Sequence, residues 1–401
     1  MLLAHPSVVS TQHALAKCRL SEYCLFIQYM PGIMSDHPIR IHPVAIKGRG
    51  TSSRTPSRFD TDSREAVDDG WSGIDAPLES EDDLPLPPAT EVRFEDAKRV
   101  LSRNDSPDIP FDRSINPYRG CEHGCVYCFA RPTHSYLGLS PGLDFETIII
   151  AKRNVAAALR AELAHRDYTP GQLAIGTATD CYQPVERDLR LTRAVIEVLK
   201  EARHPFALVT KSSAVERDLD LIAPMAADRL AAVYLTITTL DPKLSRILEP
   251  RAASPARRLE TIRRLVAAGV PVGVSLAPQI PFVNEDMEQV MAAAFDAGAR
   301  SAFYTVLRLP WELTEVFREW LEVHYPQRAG RIMSRIQDMR GGKDYDSDFA
   351  TRMTGEGIWA DLIHQRFIKA AARLGFNRER VNLDFSQFRP PSRDVRQASL
   401  F

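Results

Sequence analysis

The chain has 401 residues, 44% hydrophobic and 26% charged, with 51 basic against 52 acidic side chains and a formal net charge of −1. These are ordinary globular values, with room for one large α/β domain plus extensions, and no global field marks a nucleic-acid or membrane binder. No apolar run approaches the roughly 18 residues of a membrane span, and the N-terminus lacks a basic stretch followed by an apolar one, so a cytoplasmic, reduced protein with no membrane partner is expected.

Residues 1–33 show no helical or strand period, and from Met34 the text changes to MSDHPIRIHPVAIKGRG, which looks more like the start of a soluble protein. An over-long translation start explains residues 1–33 as well as an ordered extension does. Lys47 to Arg58 is rich in Gly, Ser and Arg, and Asp60 to Asp83 carries ten acidic residues against Arg64. Such text buries too little apolar surface to order itself, so residues 1–91 read as a largely irregular arm, mobile or draped over the domain, with Trp71 as its one apolar pin. A short helix is predicted over Val92 to Val100. Pro107, Pro110 and Pro117 then keep the chain extended, and the first core strand is placed around Arg113 to Asn116.

Next comes CEHGCVYC, with Cys121, Cys125 and Cys128 spaced C-x3-C-x2-C and Tyr127 before the last. Three thiols are one ligand too few for a closed zinc site, unless His123 inside the loop completes it. A disulfide knot is disfavoured by a reducing compartment. A four-iron cluster held by three thiolates would leave one iron open to something that is not protein. Of the other cysteines, Cys18, Cys24 and Cys181 form no framework.

After the loop, helical and strand patterns alternate. Val155, Leu159 and Leu163 mark one helical face, with Asn154 as its cap. Strands are predicted from Leu173, Phe206, Ala232, Val270 and Ala302. Between them lie a helix on Leu259, Ile262 and Val266, closed by Gly269, and another on Met287, Val290, Met291 and Ala294, closed near Gly298. The Met residues read as core filler. Six strands each followed by a helix indicate parallel βαβ units, hence an α/β fold, and the pattern weakens after Pro310.

The cysteine spacing with its preceding aromatic resembles the signature of the radical S-adenosylmethionine (SAM) superfamily. The resemblance implies a six-unit partial (βα) barrel over residues 92–310, with the cluster loop after the first strand; residues 311–401 read as a helical extension, with a helix near Ile358 to Leu374. The resemblance also implies a 4Fe–4S cluster on Cys121, Cys125 and Cys128, SAM chelating the fourth iron, and Tyr127 beside the adenine. Reduction by a flavodoxin- or ferredoxin-type partner would cleave SAM to methionine and a 5′-deoxyadenosyl radical. That family often binds the methionyl amine through a Gly-Gly-Glu motif after the second strand. Here the text is GTATDCYQPVE, so Thr177, Thr179 and Asp180 are substitutes by position only, with a capped turn as the alternative. Thr238, at the end of the fourth strand, and Glu249 and Arg251, in LEPRA, are further candidates. An arginine suits a carboxylate because its fork donates two parallel hydrogen bonds. Arg257, Arg258, Arg263 and Arg264 read as a solvated face.

FDRSINPYRGCEHGCVYCFARPTH, GTATDCYQP and ITTLDPKLSRILEPRA resemble an uncharacterised radical SAM group related to spore photoproduct lyase. That resemblance implies the fold and the initiating chemistry but not the substrate, since one fold hosts many functions; a nucleic-acid lesion or nucleotide is the first hypothesis, and modification of a protein or small molecule, or a non-catalytic iron–sulfur or zinc sensor, are the alternatives. Cys181 is a candidate hydrogen donor or a buried filler. Tyr345, Asp346, Asp348 and Phe349 are candidates for a lid that shields a radical, or for simple packing. The terminal Gln397-Ala398-Ser399-Leu400-Phe401 resembles a bacterial sliding-clamp-binding peptide, docking in cis being the alternative.

Overall fold

The computed structural model describes residues 44–61, 88–379 and 381–392, with the backbone of residues 39–40 and 67–68. The readings made for residues 1–33, Trp71, Cys18, Cys24 and the last five residues lie outside the described residues.

Six parallel strands form the centre: β1 (Arg113–Ile115), β2 (Leu173–Ile175), β3 (Phe206–Thr210), β4 (Ala231–Thr236), β5 (Val272–Gln279) and β6 (Ser301–Val306). They neighbour one another in chain order, as right-handed crossovers favour. Leu101–Arg103 adds an antiparallel seventh strand outside β1. Among the described residues β6 and that outer strand do not pair with each other, so the sheet is open. The fold is mixed α/β on a parallel sheet.

The helices between the strands follow the apolar periodicity closely. In α1 (Val155–Leu163) the residues Val155, Leu159 and Leu163 are all buried. Asn154 does not cap α1; its side chain exchanges hydrogen bonds with Ala97 at 2.9 and 3.0 Å, tying the segment after residue 95 to the start of α1. α2 (Leu191–Glu201) and α3 (Leu219–Ala227) follow, then α4 (Pro255–Ala267) and α5 (Met287–Asp296). The α5 stripe is buried at all four predicted positions. α4 is turned from its predicted face: Arg258, Thr261, Ile262 and Leu265 are buried, whereas Val266 is 36% exposed.

The predicted helix over Val92 to Val100 is instead a strand, Glu91–Glu95, parallel to Ile148–Lys152, which in turn pairs with Tyr118–Arg119. The isoleucine run at 148–150 prefers the extended state and offers an edge, and Val92 packs beside buried Tyr118, Ile149 and Ala151. Residues 44–61, expected to be mobile or draped, are draped over the domain. After β6 come α6 (Leu313–His324), α7 (Ala329–Asp338) and α8 (Gly357–Leu374). Buried Leu313, Phe317, Trp320, Ile332 and Ile336 share an apolar cluster with Val126 and Tyr127, so α6 and α7 support the cysteine loop directly. Asn377 exchanges hydrogen bonds with Ala302 at 2.9 Å, satisfying backbone of the edge strand β6. No helix among the described residues is long and apolar enough to cross a membrane.

The cysteine loop and the strand-end pocket

The cysteine loop follows β1 and the short strand Tyr118–Arg119, and is held at several backbone points. Gly120 and Gly124 adopt φ of +82° and +66°. At Gly120 a Cβ would stand 2.9 Å from His134 Cε1 and from Ile148 O, so only glycine fits. Cys121 N donates to Phe145 O at 2.9 Å and Val126 N to Leu248 O at 3.1 Å. Gln183, after β2, accepts from Glu122 N at 2.9 Å and donates to Gly120 O at 3.1 Å. Beneath the loop, Arg131 donates to Cys125 O at 2.9 Å and pairs with Glu146 at 2.6 Å.

Cys121 and Cys125 are buried and Cys128 is half-buried. Burial pushes the Cys121 thiol well up and the Cys125 thiol up to about 12; neighbouring thiols add to both, while Lys211 opposes the rise at Cys125. Thiolate here therefore calls for cations. Among the described residues no group of three or more His, Cys, Asp or Glu side chains forms a single-ion metal site. His123 is turned toward Asp180, its Nδ1 lying 3.2 Å from Asp180 Oδ2 without hydrogen-bond alignment. A cubane takes each thiolate at a different iron and does not need the three to meet at one ion, so this donor set fits a 4Fe–4S cluster in its chemistry.

Tyr127 is 7% exposed and its hydroxyl donates to Glu249, which also accepts from Thr238 Oγ1 at 3.0 Å and from the buried guanidinium of Arg258. Arg258 further donates to Ala253 O at 2.7 Å and Thr236 O at 2.8 Å. Burial works against the Glu249 carboxylate, but Arg258 and Lys211 hold its pKa below the ordinary value. Both carboxylate oxygens and the Thr238 hydroxyl are thus engaged inside the protein, where they set the ring of Tyr127. Arg258 corrects the expectation of a solvated face. The sequence signal was its place one turn before Ile262 on the buried side of α4. Lys211, at the end of β3, lies with Nζ 5.7 Å from the Tyr127 ring centre.

At the end of β2, Thr177 is half-buried and Thr179 is buried, its hydroxyl donating to Tyr118 O at 3.1 Å. Asp180 accepts from Thr210 Oγ1 and Lys211 N, both at 2.7 Å, and from Tyr182 N at 2.9 Å. Burial opposes its charge, yet His123 and these donors hold its pKa well below the usual carboxylate range. Asp180 thereby ties β2, β3 and the cysteine loop together. Cys181 is fully buried in the main apolar core, with Sγ 3.9 Å from Val209 O. Arg251 points away from Glu249 and pairs with Glu122 at 2.9 Å, while its N–H donates to His123 O at 3.2 Å. Arg308, after β6, lies over the exposed ring of Phe129, 5.2 Å from its centre, and donates to Tyr345 Oη at 3.4 Å.

The arm was missed as part of this site. Gly50 N and Thr51 Oγ1 donate to Glu146 at 2.9 and 3.0 Å, and Arg58 pairs with Glu312 at 2.8 Å. Gly50 in GRG was the only local hint that backbone approaches closely there.

Residues 115–294 match the family model described as the Radical SAM superfamily. An uncharacterised protein of Mycobacterium tuberculosis is 37% identical over 226 residues, covering 56% of this chain and 66% of that protein. The chain thus spans just under two thirds of that relative's length. An uncharacterised protein of Methanocaldococcus jannaschii is 26% identical over 231 residues, 58% of this chain and 82% of its own. Among solved structures, a spore photoproduct lyase variant with bound AdoMet and dinucleoside spore photoproduct aligns at a TM-score of 0.45 and 15% identity, covering 71% of this chain and 77% of that one. The cysteine loop lies inside the matched span, so residues 115–294 are similar to the Radical SAM superfamily over the part of the chain that carries the three cysteines.

Proposed function

We propose that the protein is a radical SAM enzyme acting on a nucleic-acid base or nucleotide lesion. When bound, a 4Fe–4S cluster on Cys121, Cys125 and Cys128 would supply an electron to SAM and release methionine and a 5′-deoxyadenosyl radical. The observation that carries the reading is the C-x3-C-x2-C loop after the first parallel strand, within the matched span 115–294. In this reading the open parallel sheet is a six-unit partial barrel whose strand ends form the pocket.

The chain's own residues then have distinct tasks. Glu249, Thr238 and Arg258 orient Tyr127, and Asp180 joins the cysteine loop to β3. The Lys211 ammonium makes no hydrogen bond to protein among the described residues and suits the methionyl carboxylate. In this reading Thr177, half-buried after β2, takes the methionyl amine. Phe129, 46% exposed and beside Cys128, offers a ring face with the Arg308 guanidinium over it. Such a pair stacks on a planar base, which supports a nucleobase substrate over a peptide. The segment carrying Tyr345 to Met353 meets β6, with Val306 N donating to Met353 O at 2.9 Å, and would shield the pocket from solvent.

Anaerobic reconstitution with iron and sulfide, followed by SAM and dithionite, tests the activity. 5′-Deoxyadenosine should form, and Cys121→Ala, Cys125→Ala or Cys128→Ala should abolish both its formation and the brown cluster absorbance. A triple-Ala protein that still makes 5′-deoxyadenosine overturns the reading. Ultraviolet-damaged oligonucleotide should stimulate turnover where peptide does not; the reverse result moves the substrate to a peptide.

A further inference from the structure

A groove of about 670 Å³ opens on the outside of the cysteine loop, lined by Lys47, Arg49, Thr90, Glu122, Arg246 and Arg251 among others. It holds four cationic side chains and one carboxylate, and that carboxylate is already engaged by Arg251 at 2.9 Å and by Thr90 at 2.7 Å. Arg49 is held below its ordinary pKa by burial and by the neighbouring Arg251, a sign of crowded positive charge. Set against a whole-chain charge of −1, this patch is local and not a by-product of composition.

Glu122 of the cysteine loop lines the groove, beside Pro250 and Arg251, which contact that loop. Glu122 follows Cys121 directly, Arg251 N binds His123 O at 3.2 Å, and a Cβ at Gly124 would lie 3.2 Å from Pro250 Cγ. None of the strand-end residues Thr177, Lys211, Thr238 or Arg308 lines the groove. It therefore reaches the loop from outside the pocket where SAM and substrate would sit.

We propose that this groove docks a small acidic electron-carrier protein that reduces the cluster, an inference that rests on the radical SAM reading. Electron tunnelling falls steeply with distance, so a donor must sit against the loop that carries the thiolates. Complementary charge selects an acidic carrier and speeds its encounter. In the step the carrier is oxidised by one electron and the cluster is reduced by one; no bond is made or broken. A nucleic-acid backbone is the competing polyanion, but it would have to enter from the strand-end side to present a base to the pocket.

The test uses the reconstituted full chain and its Lys47→Glu/Arg246→Glu variant, both residues being exposed and outside the cofactor machinery. Cluster bleaching by reduced flavodoxin is followed by stopped flow at low and moderate salt. The variant should be reduced roughly ten-fold or more slowly at low salt, with the difference shrinking as salt rises. Reduction by dithionite, which needs no docking, should be unchanged. Equal flavodoxin rates in the two proteins overturn the proposal, as does an equal loss with dithionite, which would make the groove a structural support. Loss of oligonucleotide binding with unchanged flavodoxin rates overturns it in favour of a nucleic-acid site. Failure of the parent chain to bind any iron is a different result and overturns the radical reading itself.

Discussion

Arg131 and Glu146 form an ion pair 2.6 Å apart with both side chains at 0% exposure, directly beneath Cys125. Arg131 also donates to Gly142 O at 3.0 Å, and Glu146 receives Gly50 and Thr51 from the arm, so every charged oxygen and most of the guanidinium is satisfied. Removing one partner leaves the other buried and uncompensated. Glu146→Ala should cost about 3–5 kcal/mol in a denaturant titration and release iron from reconstituted protein. The double replacement Arg131→Met/Glu146→Leu should recover part of that stability but not the loop geometry, leaving iron retention poor.

Gly50 marks where the arm crosses the loop, since a Cβ there would fall 1.8 Å from Gly124 O, a backbone atom. Gly50→Ala should therefore push residues 44–61 off the cysteine loop, at about 1–3 kcal/mol for the overpacking. Limited proteolysis should then cut within residues 44–61 faster than in the parent. An unchanged cleavage pattern would contradict the close approach.

Tyr127 separates two roles that a single replacement would confuse. Tyr127→Phe keeps the ring but removes the donor to charged, buried Glu249, and should lower stability by about 1.5–3 kcal/mol. Tyr127→Leu removes the ring face as well and should weaken SAM binding further in equilibrium dialysis. Iron content should match the parent in both, because the side chain is not a ligand.

His134 and His204 are both fully buried, and desolvation lowers each pKa from 6.5 to about 4. His204 has a defined neutral form: its Nδ1–H donates to Pro205 O at 2.8 Å and its Nε2 accepts from Tyr168 Oη at 2.8 Å. Between pH 6.5 and 4 the unfolded chain binds protons that the folded chain refuses. Stability is therefore fully present above pH 6.5 and falls as the pH drops toward 4, by roughly 3 kcal/mol per histidine. Urea titrations across that window should show the decline, and His204→Gln should flatten it by about half.

What could be read from the chain by itself is what repeats or what is spaced. Val155, Leu159 and Leu163, and Met287, Val290, Met291 and Ala294, declare helix faces because burial imposes a 3.6-residue period. The alternating strands declare βαβ units, and three cysteines eight residues from end to end declare a donor set. The partners brought in from far along the chain could not be read this way. Glu146 meets Gly50 across 96 residues and Tyr127 meets Glu249 across 122. No local pattern records such a distance, because a buried polar group is selected for its partner's position in space. The same reason gives Glu249, Thr238 and Asp180, candidate ligands of SAM by their place in the sequence, hydrogen-bond partners within the fold that no local pattern records. It also made Arg258 a buried brace where composition alone suggested a wet surface. Tertiary structure decided these roles because a charge buried away from water must be met by another group, and only the folded chain supplies it.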